Sequence, residues 1–408
     1  MNDADAARIA QGLSAMGFQP THQAERADLV ILLTCVVRQS AEDKVVGRLS
    51  SLKSLKRYRP HALITVMGCF VDDEQSLSAH FPYVDAFFKP SDIEGLLQFV
   101  QHSLPAAPHY QTYPIAQPVC AYVPVSYGCD HHCTYCIVRL RRGKQRSRPL
   151  PEIVDEVRSL VQRGVREVTL LGQNVDAYGQ DLPPGAPDLA DVLLALHEIE
   201  GLWRIRFLTS HPADMSLKII KTVASSSKIC PHFELPVQSG DDDILRRMGR
   251  RYTVSQYREL VRTIREHIPG CSIATDVIVG FPGESEAQFQ ATYDLLASLR
   301  FDTVHIAKYS PRPGTPAARL PDDVPPEEKE RRRALLEKLQ TQIATEINAA
   351  LLGKRVEVLV EECHRGRWKG RTPTDKLVFF EDTTDRRGQL VTLAITHSGP
   401  WSLLGKVV

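Results

Sequence analysis

Three cysteines, Cys129, Cys133 and Cys136, fall within eight residues in the segment SYGCDHHCTYCIVRLRRGKQRSRP, directly after an apolar run of strand type. Three thiolates at C-x3-C-x2-C spacing on one loop can bind three corners of a cubane [4Fe-4S] cluster. The fourth iron then keeps an open coordination position, as catalytic metal sites require. A structural zinc site is the competing reading. Zinc would want a fourth ligand, for which His131 or His132 is at hand, and usually a second C-x2-C pair.

Two more cysteines close apolar runs: Cys35 ends DLVILLTC and Cys69 ends ALITVMGC. Ligands gather at the carboxyl ends of strands in open α/β sheets, so these thiols should meet on one edge. They are candidate ligands for a second cluster, or else buried thiols of the ordinary kind. Cys120, Cys230, Cys271 and Cys363 lack ligand-like partners and read as structural.

Arg139, Arg141, Arg142, Lys144, Arg146 and Arg148 put six cations in ten residues just past the cysteine loop. Such a run can track nucleic-acid phosphates, or it is a solvated loop paired with acidic neighbours. Near the C-terminus, HRGRWKGRTPTD sets Trp368 and Arg371 among cations, a combination suited to stacking on single-stranded bases.

These groups need a scaffold, and the patterning supplies one. Asp28–Cys35, Ala62–Cys69 and a short run near Val84–Phe88 read as buried parallel strands, with helices at roughly 38–58, 72–80 and 92–104. A Pro-rich stretch at 106–119 reads as a linker. Strands are then predicted at Tyr122–Tyr127, Glu167–Leu171, Arg204–Leu208, His232–Val237, Ile273–Val279 and Thr303–Tyr309. Helices are predicted at 151–163, 188–199, 254–267 and 285–299, the last opening on a capping box of Ser285 with Gln288. Six strand–helix units imply a partial barrel, short of an eightfold one. A long charged helix (327–352) leads to short β patterns over 354–408, which imply a small antiparallel barrel.

The expected class is therefore α/β. It comprises a parallel N-terminal domain (1–105), the linker, a partial (β/α)6 core (120–345) and a C-terminal β-barrel (346–408). With Lys+Arg 50 against Asp+Glu 49, overall charge does not point to a nucleic-acid partner, and local patches must carry that argument. Apolar runs such as 29–33 and 62–67 are too short to span a bilayer, so no membrane partner is expected. The acidic start MNDADAARIA lacks the plan of a signal peptide, and a cytoplasmic location is expected.

Longer motifs carry a family resemblance: LLTCVVRQSAEDKV, VMGC, the cluster loop with RGKQRSRP, LLGQNVDAYG, RIRFLTSHP, ELPVQSGDDDILRRMGRRYT, TDVIVGFPGES and YSPRPGTPAA. The chain resembles the radical S-adenosylmethionine (SAM) methylthiotransferases over essentially its whole length. LLGQNV together with TSHP favours the tRNA branch that adds a methylthio group to C2 of N6-isopentenyladenosine beside the anticodon. The resemblance implies a methylthiotransferase N-domain, a radical SAM core and a C-terminal TRAM barrel. It implies Cys129, Cys133 and Cys136 as ligands of the SAM-binding cluster, and Cys35 and Cys69 on a second one. Two SAM molecules are implied, one donating methyl to sulfur and one giving an adenosyl radical that abstracts hydrogen.

By position in these motifs, Tyr135, Gly172, Gln173, Asn174, Ser210, Ser239 and Asp276 are expected near SAM or substrate. Strand-end polar residues also commonly cap the next helix, so each keeps a structural alternative. Arg141, Arg142, Lys144, Arg146, Trp368 and Arg371 are expected at the RNA. The implied partners are a tRNA anticodon stem-loop and an electron donor such as flavodoxin or ferredoxin, with the protein a monomer. The competing readings are methylthiolation of threonylcarbamoyl-adenosine or of a ribosomal-protein aspartate, and an RNA-binding protein impaired in sulfur transfer.

One departure stands out. The family's N-domain carries a first strand ending in a third cluster cysteine, directly before a Met-Asn pair, and this sequence starts at that pair. The expectation is a reading frame that extends upstream; the alternative is a variant whose second cluster is defective or differently ligated.

Overall fold

The computed structural model describes residues 1–37, 39–104 and 118–408. All but the last two positions of the expected linker lie outside the described residues. The chain divides into two compact units. One comprises Met1–Ala116, Gly128–His131 and Cys136–Lys144, and the other Gln117–Tyr127, His132–Tyr135 and Gln145–Val408.

In the first unit the order is α1 (Asn2–Ala15), β1 (Leu29–Thr34), α2 (Gln39–Tyr58), β2 (Leu63–Gly68), α3 (Glu74–His80), β3 (Ala86–Phe88), α4 (Ile93–Ser103) and α5 (Val138–Arg142). The three strands form a parallel sheet with β2 in the centre. Side chains alternate across it as the period of two demands. Val30, Leu32, Ile64 and Val66 meet Val45, Leu49 and Leu52 of α2 on one face. Leu29, Ile31, Leu33 and Met67 meet Ile9 of α1 and Leu96 and Val100 of α4 on the other. Both faces are covered, which is why these strands read as continuous apolar runs.

The second unit opens with β4 (Cys120–Pro124) and a short antiparallel pair, β5 (Ser126–Tyr127) with β6 (Arg146–Ser147). There follow α6 (Leu150–Gln162), β7 (Glu167–Leu171), α7 (Leu189–His197), β8 (Arg204–Leu208), α8 (Leu217–Ser225), β9 (His232–Glu234), α9 (Asp242–Arg247), α10 (Val254–His267), β10 (Ser272–Val279), α11 (Glu286–Leu299), β11 (Thr303–Lys308) and α12 (Pro326–Ala349). Parallel sheets β4-β7-β8 and β9-β10-β11 are joined around Ile205, whose N–H donates to Lys228 O at 2.8 Å and whose carbonyl accepts from Cys230 N at 2.9 Å. Among the described residues β11 and β4 do not pair, so the barrel is partial, as the six units implied.

Two of the core strands stop early at or near a proline. Pro124 ends β4 and Pro236 follows β9, and neither can donate to a ladder. The capping box of α11 is present: Ser285 Oγ accepts from Gln288 N, and Gln288 Oε1 accepts from Ser285 N at 3.0 Å.

The C-terminal strands β12 (Arg355–His364), β13 (Arg367–Arg371), β14 (Leu377–Phe380), β15 (Leu390–Ser398) and β16 (Leu403–Val407) close into a five-stranded barrel. One pair, β14 with β16, is parallel. Strand β13 lacked an apolar alternation in the sequence. Its polar run RWKGR turns only Trp368 and Gly370 into the interior, and pairing with β12 and β14 holds it in place.

Candidate active site

The register of β1 and β2 pairs Thr34 with Gly68. Cys35 and Cys69 each follow by one residue, with Cys69 N donating to Thr34 O at 3.2 Å. Parallel strands thus deliver both thiols to one edge. Burial pushes the Cys69 thiol up, while the neighbouring Arg142 guanidinium, which hydrogen-bonds to it, pulls the other way. Arg142 also reaches Ser91 Oγ at 3.3 Å and Asn2 Oδ1 at 3.5 Å, and Arg141 pairs with Asp72 at 2.7 Å. Within the same unit, Ile137, next to Cys136, packs with Val36 and Cys69. Cys129 and Cys136 are half-buried here, and Cys129 N donates to Gly143 O at 3.2 Å.

In the second unit Cys133, also half-buried, sits in a short stretch clamped by the turn after α9. Thr134 N donates to Met248 O at 2.9 Å, and Thr134 Oγ1 donates to Arg247 O at 2.8 Å. Ala317 N donates to Thr134 O at 2.9 Å. Gly249 has φ +73°, and a Cβ there would lie 2.6 Å from His132 O, so only glycine permits the close approach. Arg250 Nη1 donates to Cys133 Sγ at 3.6 Å. Tyr135 is half-buried against Ile244, Met248, Phe281 and Tyr309.

The carboxyl ends of the core strands carry a linked set of polar groups. Gly172 follows β7 so closely packed that a Cβ would fall 2.6 Å from Ser126 Oγ. Gln173 is half-buried beside it. Asn174 Nδ2 donates to Asp214 at 2.7 Å, while its buried Oδ1 has no hydrogen-bond partner among the described residues. Ser210 Oγ and His211 N both donate to Asp176, at 2.9 and 3.1 Å. Thr209 and Gln238 hold left-handed backbone at φ +72° and +71°. Non-glycine residues persist there only when neighbours fix them. Thr209 N bonds Glu234 Oε2 at 2.9 Å, and Gln238 N bonds Asp276 O at 2.8 Å. Burial and the nearby Asp276 push the Glu234 carboxyl up.

Residues 123–296 match the Radical SAM superfamily, 1–89 match the uncharacterized protein family UPF0004, and 349–408 match the TRAM domain. A tRNA-2-methylthio-N(6)-dimethylallyladenosine synthase of Roseiflexus sp. (strain RS-1) is 48% identical over 99% of this chain and 87% of its own length. Its namesake in Dehalococcoides mccartyi (strain CBDB1) is 48% identical over 100% of this chain and 96% of its own. The chain belongs to the tRNA-2-methylthio-N(6)-dimethylallyladenosine synthase family. It is a radical SAM enzyme and a transferase, and its cofactors are a [4Fe-4S] cluster and SAM. The fold is also similar to the radical SAM methyltransferase TsrM of Kitasatospora setae, at 15% identity and TM-score 0.57 over 77% of this chain and 73% of that one.

Set in this family, the donor chemistry of the cysteine loop fits a cluster, because three thiols come at ligand spacing and one of them receives a buried guanidinium. Two of the expected site residues lie in enclosed positions. Ser239 is fully enclosed, its Oγ hydrogen-bonded to Thr292 Oγ1 and accepting from the N–H of Asp241, the N-cap residue of α9. The Trp368 ring lies in the barrel core with Nε1 donating to Asp382 O at 3.1 Å. Arg371 pairs with Asp375 at 3.3 Å and Glu361 at 3.6 Å. Asp276 is half-buried at the carboxyl half of β10. Of the basic run, Lys144 and Arg146 are exposed, while Arg148 pairs with Glu156 at 2.7 Å.

Sequence reasoning singled out neither Asp176 nor Arg250, although both stand inside quoted motifs. Asp176 is buried and its carboxyl is raised to about 7, first by burial and further by Asp214, against the pull of its two donors. Cys230 is a buried thiol pushed up to about 12, in keeping with a structural role.

Proposed function

We propose that this enzyme installs a methylthio group at C2 of N6-isopentenyladenosine in the anticodon stem-loop of tRNA. The chain-long similarity to relatives of that name carries the reading. Cys129, Cys133 and Cys136 hold the SAM-binding cluster, and Cys35 and Cys69 contribute to a second, sulfur-carrying one. Cluster and SAM together supply one-electron chemistry strong enough to break an aromatic C–H bond.

The chain's own residues hold and orient. The turn at 247–250 fixes the stretch around Cys133, and the strand-end groups Gly172, Gln173, Asn174, Ser210 and Asp276 shape the SAM side. Exposed Lys144 and Arg146 contact phosphates, whereas Arg141 and Arg142 sit against acidic and thiol groups. The division at 105, 119 and 345 separates N-domain, linker, core and barrel. A cytoplasmic monomer reduced by flavodoxin or ferredoxin completes the proposal. Among the described residues no helix is long and apolar enough to cross a membrane.

The test is expression in a bacterium lacking its own tRNA methylthiotransferase, with mass spectrometry of the tRNA nucleosides. 2-Methylthio-isopentenyladenosine is expected. Isopentenyladenosine alone, from protein shown to carry iron, would count against the assignment.

A further inference from the structure

We propose that Arg250 is a positioning residue that sets the reduction potential of the SAM-binding cluster through Cys133. The inference rests on the reading of Cys133 as a cluster ligand, and goes beyond it.

Arg250 is 8% exposed, and its guanidinium is spread over three fixed acceptors. Nη2 donates to Pro236 O at 2.6 Å, Nε donates to Tyr252 Oη at 2.8 Å, and Nη1 donates to Cys133 Sγ at 3.6 Å. Tyr252 Oη is itself held by the carbonyls of Pro236 and Val237, at 3.2 and 3.0 Å. The guanidinium stacks over the Tyr252 ring at 5.2 Å. The fork is thus immobilised from behind, with one N–H aimed at the sulfur. Gly249 and the bonds from Thr134 to Met248 and Arg247 bring the two backbones close enough for this reach.

A planar guanidinium spreads its donors over a rigid fork that spans these three separate acceptors, whereas an ammonium offers its three donors from a single nitrogen. Reducing a cluster by one electron adds negative charge to it and its thiolates. A buried cation donating to a ligand sulfur stabilises that charge, and hydrogen bonds to the sulfurs are among the levers that set cluster potential. Arg250 is buried, so bulk solvent screens the effect only weakly. Arg250 therefore favours the reduced cluster, the form that passes its electron to SAM.

The experiment uses the full chain with Cys35→Ala and Cys69→Ala, so that only one cluster forms, reconstituted anaerobically with iron and sulfide. The midpoint potential is read by electron paramagnetic resonance at poised potentials. Arg250→Met is expected to shift the midpoint negative, lowering the reduced-to-oxidised ratio about tenfold at the parent midpoint, or about 59 mV for one electron. Arg250→Lys keeps the charge but not the threefold reach, and is expected to shift the same way by about threefold. Tyr252→Phe, which removes one of the three acceptors but keeps the charge and the donor to Cys133, should shift the potential by less than Arg250→Met does.

An unchanged or positive midpoint in folded Arg250→Met overturns the inference, as does an equal shift in Tyr252→Phe. Should Arg250→Met not fold, Arg250→Lys decides, and no shift there overturns it. Cys133→Ala in the same background separates the two readings. If that variant still binds a full cluster, the ligand assignment has failed; if it loses the cluster while the Arg250 variants show no shift, only the present inference has.

Discussion

Arg206 Nε donates to Glu167 Oε1 at 2.8 Å, with both side chains about as buried as the apolar core around them. The same guanidinium donates to the carbonyls of Thr372 and Pro373, at 2.7 and 2.9 Å, in the turn after β13. Its neighbour Arg204 reaches Arg371 O at 2.6 Å and Glu357 at 3.0 Å. The C-terminal barrel is therefore held to the ends of β7 and β8 by two buried cations that bond backbone.

Removing one partner of such a pair strands a buried charge. Arg206→Met is expected to cost about 3–5 kcal/mol, measured by urea unfolding. The double variant with Glu167→Gln should recover part of that, since no uncompensated carboxylate remains. A cost below about 1 kcal/mol would mean that Glu167 finds water when Arg206 goes, and the clamp would lose its standing.

Gly249 and Gly270 make a matched pair for testing the turn beside Cys133. Both have positive φ, but among the described residues a Cβ at Gly270 meets nothing within 4 Å, while one at Gly249 meets His132 O. Each alanine should cost about 1–2 kcal/mol for its backbone alone. Only Gly249→Ala is expected to lower iron content after reconstitution, scored by absorbance and iron assay against thermal unfolding. Equal iron loss in both variants would refute the close-approach argument.

Asp176 gives the protein a pH dependence of definite sign. Its carboxyl is raised to about 7 in the folded chain, above the ordinary value near 4. Between those pH values the folded state binds the extra proton, so the stability it contributes is full below pH ~4 and is lost as pH rises to ~7. The slope from this one group is at most about 1.4 kcal/mol per pH unit. Asp176→Asn should flatten that decline in urea unfolding between pH ~4 and ~7, even though it loses one of two acceptor bonds to Ser210 and His211. A variant with the parent's slope would place the titration elsewhere.

Lys144 and Arg146 are the exposed cations of the basic run among the residues assigned to RNA. Replacing either by alanine should weaken tRNA binding across sequences and reduce the slope of log K against log salt by about 0.7–0.9. Filter binding over a salt series measures it. Arg148→Ala, which loses the pair with Glu156, should act mainly through stability. If all three changed the slope alike, the distinction drawn from burial would be wrong.

What the sequence determined is what depends on near neighbours. Ser285 and Gln288 are three residues apart, so the capping box that starts α11 could be read directly. Apolar periodicity placed the strands because each face must be dry, and the spacing of Cys129, Cys133 and Cys136 carried its chemistry without a fold. Tertiary structure decided the rest. Trp368 among cations looks solvent-facing until β12 and β14 enclose it, and the partner of the buried Ser239 hydroxyl, Thr292 of α11, is 53 positions away. Arg250 meets Cys133 across 117 positions, and Asp176 acquires its raised carboxyl only when the folded chain buries it. Local pattern fixes which face of an element is apolar. Burial of a polar group, and the partner it finds there, depend on chain that arrives from a hundred residues away.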